Sequence, residues 1–504
     1  MWVRLDKRDL MLIAHYVGVF QIGLGLAMAV PVITGLAYRE WGAVLDFVLG
    51  MGVALAVGTL LMNADIRPER VRHTHALAIT AFGWLFASMI AAVPLALSEN
   101  YGSYLDAVFD ALSGLTTCGL TVVQGIEHIA VSHNMWRQLL QLIGGQGIVV
   151  AALSFAVGLR GGAFSLYLAE GRDERILPNV LHTVRFIWFL TAVYIALGTV
   201  VFFAVLTHLG LSLDRGILHA FWLTAAAFDT GGFAPKGMSL MYYHSFAVEM
   251  IALMLMIAGS INFALHAYVW RGDWKELWKN LETRVLATSV AAGSALVAAG
   301  LMASERFPGG VALLRKGIFQ MISAHSSGLQ TVYSSQMLYE FGSVGLVAIM
   351  IGMAVGGSLS STGGGIKALR IGVIIKSVIL QVKQALAPPS SAQRIRYHHL
   401  SGRILTPEVT GAAATVLILY LGTILLGTVV GTAYGYGLSE ALFESVSATA
   451  TSGLSIGVTS ASMPTGLKLV YMFQMWVGRL EFIAVLVLIA QVVLALDFRG
   501  VRTS

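Results

Sequence analysis

Thr116-Thr117-Cys118-Gly119-Leu120, Asp229-Thr230-Gly231-Gly232-Phe233, His325-Ser326-Ser327-Gly328-Leu329 and Ala450-Thr451-Ser452-Gly453-Leu454 align column by column, each reading x-[Thr/Ser]-x-Gly-[Leu/Phe]. A signal repeated four times in one apolar chain suggests four walls of one pore. Of the 504 residues, 57% are hydrophobic and only 12% charged, well beyond the apolar share of a soluble domain. The chain reads as an all-α, multi-span membrane protein. Apolar runs of the ~20 residues needed to cross a bilayer fall at 10–36, 42–62, 75–97, 136–158, 184–207, 245–269, 284–303, 341–380, 408–432 and 468–495, with the motifs outside them. Only the 341–380 run reads as interrupted. The first run is long and lacks a small-residue cleavage pattern after it, so it is expected to remain as a span.

Lys and Arg set the expected orientation. Arg4, Lys7, Arg8, Arg67, Arg70, Arg72, Arg160, Arg172, Arg175, Arg185, Arg271, Lys275, Lys279, Arg284, Lys376, Lys383, Arg394, Arg396, Arg403, Arg499 and Arg502 fall on one side, which thereby holds most of the 32 cations. That side is expected to be cytoplasmic, with both termini, and the motifs external. The formal charge of +6 then reflects topology. The cations read as spread over loops without interleaved aromatics, which argues against nucleic acid as a partner. The single cysteine, Cys118, excludes internal disulfides and a multi-thiolate metal site, and reads as a small packing residue.

Around each motif the layout repeats: a span, a shorter semi-polar helix, the motif, another span. The short helices are expected near 103–116, 216–229, 311–325 and 438–450, too short to cross a bilayer. Irregular backbone at membrane depth is tolerated only where protein buries it or it lines a watery cavity, so four re-entrant loops are expected around one axis. Five residues before each motif glycine the side chain is small, at Gly114, Ala227, Ser323 and Ala448, which permits close helix approach.

The chemistry follows from what a dehydrated cation requires. Stripping an ion of water in a low-dielectric medium costs tens of kcal/mol, and several inward carbonyls replace that shell. Aligning successive carbonyls needs dihedrals that glycine adopts without penalty. Gly119, Gly232, Gly328 and Gly453 are the expected cation positions. Thr117, Cys118, Thr230, Gly231, Ser326, Ser327, Thr451 and Ser452 complete the filter, and every repeat carries a hydroxyl two residues before its glycine.

The motif resembles the potassium-channel filter sequence reduced to one glycine. Four such loops in one polypeptide resemble the Trk/Ktr/HKT superfamily of cation transporters, most closely its bacterial Trk-type potassium uptake permeases. That likeness implies four membrane–pore–membrane repeats around a pseudo-four-fold pore after two extra N-terminal helices: 1–65, then repeats at 66–160, 161–275, 276–385 and 386–504. It implies potassium uptake across a bacterial inner membrane with no cofactor, the cation being cargo. A less selective potassium/sodium permease and a symporter coupled to protons or sodium remain alternatives. Expected partners are the lipid bilayer, a second copy of the chain, and a cytoplasmic nucleotide-binding regulatory subunit (TrkA-like), since no G-x-G-x-x-G fold is present here.

Gly356-Gly357-Ser358-Leu359-Ser360-Ser361-Thr362-Gly363-Gly364-Gly365-Ile366-Lys367 is too small and polar for a lipid-facing helix and looks like the intramembrane gate loop of Trk-type permeases. A phosphate loop fits poorly, because Ile366 separates the glycines from Lys367. Arg479 lies in the last apolar run, where an ionisable residue marks a pathway or a structural pair. The family likeness makes it an electrostatic barrier beneath the filter; the other reading pairs it with a buried carboxylate. Trp136–Gly147 also looks like the Trk segment opening the second helix of the first repeat, its glycines serving close packing.

The column before the hydroxyl is uneven: Thr116, Asp229, His325 and Ala450. Asp229 and His325 fall in neighbouring repeats and are expected to modulate the filter, either as an ion pair that makes transport pH-dependent or through separate local bonds. Asp106, Asp110, Glu440 and Glu444 either focus cations at the entrance or complement helix dipoles. An enzyme is not expected: there is no H-E-x-x-H helix and no facing Ser/His or Cys/His group. A carrier with broken helices in inverted halves would require two matching interrupted spans.

Overall fold

The computed structural model describes residues 6–63, 71–147, 180–303, 309–388 and 393–496. Arg4, Arg67, Arg70, Arg160, Arg172, Arg175, Arg499, Arg502 and the second half of the 136–158 run lie outside the described residues. Six helices among those described are long and apolar enough to cross a membrane: Lys7–Tyr38, Trp41–Met62, His73–Leu97, His182–His208, Leu281–Ala303 and Pro407–Ala433. The first two pack tightly through glycines. A Cβ at Gly18 would lie 2.7 Å from the Gly58 carbonyl, so only a glycine pair permits this approach.

Each of the other four crossings leads into a short helix. These are Tyr104–Leu115, Leu213–Phe228, a third running through Gly310–Leu313, a π-helical turn Leu314–Ile318 and Phe319–Ala324, and Leu438–Ala450. Ser103 Oγ caps the first by accepting from Asp106 N at 3.2 Å, and Asp106, Asp214 and Glu440 occupy first turns, where the helix dipole favours a carboxylate. The last residues of each short helix are buried, so all four end inside protein.

The helices that follow the motifs differ from expectation. Three of the spans read from the sequence are broken, where one was expected. Phe246–Ser260 and Phe263–Trp270 bend by 102°, Thr465–Arg479 and Ile483–Leu494 by 115°, and the stretch 356–367 separates Gly342–Val355 from Ala368–Leu386. The first repeat's helix, Val131–Gln146, ends at Gly147 with φ +91°.

The cause is steric. A Cβ at Gly144 would lie 1.8 Å from the Leu115 carbonyl, at Gly259 1.9 Å from the Phe228 carbonyl, and at Gly478 1.9 Å from the Thr449 carbonyl. Each carbonyl stands four residues before its motif glycine, so the outgoing helix presses bare backbone on the end of the short helix and ends within two residues of that contact. The third repeat breaks differently: Gly356, with φ +65°, faces its own loop, its Cβ position meeting the Gly364 carbonyl at 2.1 Å.

Cross-repeat contacts close the bundle. Lys468 Nζ lies 2.6 Å from Asp106 Oδ1 and Trp476 Nε1 donates to the Ala81 carbonyl at 2.9 Å, joining the fourth repeat to the first. Arg315 binds Glu249 through two nitrogens, joining third to second. A two-stranded hairpin, Arg396–His398 with Gly402–Ile404, precedes the Pro407–Ala433 crossing.

Candidate functional site

The four motif glycines form a closed ring. A Cβ at Gly119 would lie 2.7 Å from the Gly231 carbonyl, at Gly232 2.0 Å from that of Ser327, at Gly328 2.2 Å from that of Ser452, and at Gly453 1.9 Å from that of Cys118. Each repeat therefore sets its glycine against the preceding residue's carbonyl in the next repeat, and the fourth returns to the first. The glycines have φ of +89°, +77°, +72° and +82°, a region that other residues avoid.

Thr117, Thr230 and Thr451 also have positive φ, at 54°, 51° and 49°. Left-handed residues two apart, with an ordinary residue between, turn successive carbonyls to one side, as a dehydrated cation requires. The third repeat departs from this. Ser326 lacks a positive φ and donates Oγ to the Ile322 carbonyl at 2.8 Å. Cys118 is buried, with its thiol 3.9 Å from the Ser447 carbonyl, as a packing residue should be.

A cavity of about 240 Å³ opens on this ring, with all four glycines, Thr121 and Gln330 in its wall. Lys236 also lines it, 2.8 Å from Glu127. Partial burial opposes ionisation of Glu127, but Lys236 and the Gly237 N–H hold its carboxyl below the ordinary range.

The strand after each glycine is braced in its own way. In the first repeat Thr121 Oγ1 donates to Asp110, which also binds Arg137 Nε at 2.8 Å. In the second, the Phe233 N–H donates to Gln141 Oε1 at 2.8 Å and its carbonyl accepts from Gln138 Nε2 at 3.2 Å. Gln320 Nε2 donates to Thr331 at 3.0 Å in the third. In the fourth, Ser455, Thr459 and the N–H groups of Ile456 and Val458 all donate to Glu444. The carboxylates read as focusing groups or dipole complements are all bonded: Asp110 and Glu444 tie down the filter strand, while Asp106 and Glu440 stand in the first turns of their helices, the one paired with Lys468 and the other capping its own helix through the Gly437 N–H.

Asp229 and His325 do not meet. Asp229 Oδ1 accepts from Gln146 Nε2 at 2.8 Å, while His325 Nδ1 and Nε2 lie 2.9 Å from the Met321 carbonyl and Ser289 Oγ. Each has its own partners, Asp229 in the helix of the first repeat and His325 within the third. The effects of Asp229→Asn and His325→Gln on ion selectivity should therefore add within about 0.5 kcal/mol, read from the ion selectivity of uptake in single and double variants.

The loop 356–367 packs against the residues that lead into the ring. Thr362 Oγ1 donates to the carbonyls of Phe228 at 3.0 Å and Gly259 at 2.9 Å, and lies 3.2 Å from Thr230 Oγ1. The Cβ position of Gly363 is 3.7 Å from the His325 carbonyl, and that of Gly364 is 2.2 Å from the Ala450 carbonyl. The loop therefore touches the second, third and fourth filter loops.

Bonds within it and one from the second repeat shape it. Gly357 N donates to the Gly364 carbonyl at 3.1 Å, the Ser360 carbonyl accepts from Phe263 N at 3.1 Å, and Ser361 Oγ donates to the Ser358 carbonyl at 2.7 Å. Gly365 has φ +84° and Lys367 +81°; Lys367 Nζ donates back to the Gly363 carbonyl.

Arg479 links this loop to the first repeat. It donates to the carbonyls of Thr362, at 2.8 Å, and Gly144, so these bonds go to backbone oxygens, while the nearby Glu481 pairs with Arg370. Sequence reasoning missed Gly144, Gly259 and Gly478 as one set. Their recurrence 25 to 27 residues after the motif glycines of three repeats was the available signal.

The model of the TrkH cation transport protein family matches residues 45–291 and 305–494. An uncharacterized cation transporter of Methanocaldococcus jannaschii is 31% identical over 97% of both chains. The Trk system potassium uptake protein TrkH of Halomonas elongata is 28% identical over 95% of this chain and 98% of its own. The crystal structure of the potassium transporter TrkH from Vibrio parahaemolyticus matches with a TM-score of 0.81 at 22% identity, covering 96% of this chain and 98% of that one, a likeness of fold.

Proposed function

Because the chain belongs to the TrkH family of cation transport proteins, we propose that it takes up potassium across the bacterial cytoplasmic membrane through the four-glycine ring, with loop 356–367 as its gate. It is a multi-pass transport protein, not an enzyme. The observation that carries the reading is the closed ring of glycines and carbonyls, the arrangement that replaces the hydration shell of a monovalent cation. In this reading the filter faces outward, both termini face the cytoplasm, and the repeats divide near 66, 161, 276 and 386. A homodimer seated on a nucleotide-binding (TrkA-like) subunit fits the family likeness. The departure at Ser326 leaves one wall of the ring less regular, which favours weaker discrimination against sodium than a filter with uniform walls; coupling to protons or sodium is the alternative to passive flux.

Rubidium uptake into liposomes holding the purified chain tests this directly. Uptake driven by a potassium gradient is expected, and its absence under every gradient, with and without a regulatory subunit, would overturn the proposal. Arg479→Ala should raise basal uptake. It removes three hydrogen bonds from a charged donor, to the carbonyls of Thr362, Gly144 and, at 3.5 Å, Gly145, the two shorter ones each worth ~1.5–3 kcal/mol, and so shifts a closed-to-open equilibrium by roughly tenfold or more. Unchanged or lower flux from folded Arg479→Ala protein would rule out this latch.

A further inference from the structure

Trp270, Trp274 and Trp278 recur every fourth residue, and each is followed by a cation: Arg271, Lys275 and Lys279. All six are exposed, the tryptophans at 55%, 64% and 67%. Aromatics and cations do interleave in this loop, contrary to the reading of the basic loops as a whole. The 102° bend after Ser260 turns Phe263–Trp270 nearly perpendicular to the preceding helix, so the two do not form one straight crossing. Such amphipathic rings settle at the headgroup level, where the indole body is apolar and its N–H is wet.

Beside this segment lies a cavity of about 490 Å³, walled by Tyr194, Leu197, Val269, Trp270 and Trp274. It continues onto the lipid-facing flank of His182–His208, where Leu197 is 60% exposed and Phe189 lies 5.7 Å from Trp270, centroid to centroid. Within the segment's turn and last helix, Asp273 is the exposed acid; Glu276 is buried and held by His398 at 2.7 Å. The exposed charge is thus dominated by cations.

We infer that the exposed stretch 270–279 is a binding surface for anionic phospholipid. Arg271, Lys275 and Lys279 meet the phosphates, the tryptophans sit at the headgroup boundary, and the cavity takes an acyl chain. Bare tryptophans continuous with a lipid-facing flank favour a membrane over a soluble partner. Through Phe263–Trp270 the stretch is also tied to loop 356–367. Phe263 N donates to the Ser360 carbonyl at 3.1 Å. The fully buried Glu282 accepts from both Asn262 Nδ2, at 3.2 Å, and Leu359 N, at 2.7 Å. Lipid that holds the segment therefore steadies the loop, a consequence that rests on the loop being the gate.

The test uses the full chain in phosphatidylcholine vesicles with and without phosphatidylglycerol, the acyl chains brominated in one lipid at a time. Brominated phosphatidylglycerol should quench tryptophan fluorescence more than brominated phosphatidylcholine, and the triple variant R271Q/K275Q/K279Q should lose that preference. Rubidium uptake should rise several-fold with phosphatidylglycerol in the parent chain and not in the variant. Equal quenching in the parent, or an undiminished preference in the variant, overturns the lipid site and leaves the cations to a protein partner. A lost preference with an unaltered uptake response overturns the link to the loop. Quenching is read without flux, so a failure of transport in every vesicle would count against the transport reading alone.

Discussion

Gly232→Ala should reduce rubidium uptake to the level of empty vesicles while leaving a folded protein. Two penalties coincide at this position. The backbone φ is +77°, which costs an ordinary L-residue about 1–2 kcal/mol. The added Cβ would also stand 2.0 Å from the Ser327 carbonyl, far inside van der Waals contact, and both partners are filter backbone with no side chain to give way. The ring must open, and the cation loses a matched set of oxygens. Gly453→Ala, at 1.9 Å from the Cys118 carbonyl, should match it, and Gly119→Ala, at 2.7 Å, should retain the most residual flux. Cys118→Ala is the control, expected to transport near the parent rate, because that residue contributes its carbonyl rather than its thiol. Parent-like uptake by Gly232→Ala would remove the ring from the permeation path.

Arg137→Gln is expected to destabilise the fold by about 3–5 kcal/mol, the usual cost of leaving one member of a buried ion pair alone. Arg137 and Asp110 side chains are 1% and 0% exposed and 2.8 Å apart. Arg137 also donates to Thr121 at 3.1 Å and stacks on the Phe233 ring at 4.2 Å, so one guanidinium holds the strands after two filter glycines. Thermal denaturation in detergent reads the loss. Replacing both charges together, as Asp110→Leu with Arg137→Met, should cost less than Arg137→Gln, because no uncompensated charge remains. If the single and double variants melt together with the parent, the pair is not what secures this strand.

Much of this was legible before any fold was known. The short helices appear where semi-polar stretches too brief to cross a bilayer precede each motif, within a few residues of their expected ends, and the positive φ of all four glycines is what a residue without a Cβ permits. The breaks at Gly259 and Gly478 were not legible, because Phe246–Trp270 and Thr465–Leu494 are apolar enough to read as straight spans. What bends them is a carbonyl on another helix. Glu444 is a similar case: in the chain it is one more acid in a short helix, and only folding brings Ser455, Thr459 and two N–H groups to it.

The sequence by itself determined the membrane class, the fourfold repeat, the glycine and hydroxyl columns and the small polar interruption at 356–367. Those features depend on composition and on spacing along one segment, which local backbone preference and hydrophobic burial translate directly. Only the tertiary structure decided which carbonyl each glycine faces, that Asp229 and His325 stand apart, and that Arg479 spans from Thr362 to Gly144. Those are choices among hydrogen-bond partners at low dielectric, where each polar group must find one. Most of the partners come from other repeats of the chain, so nothing in the local pattern specifies them.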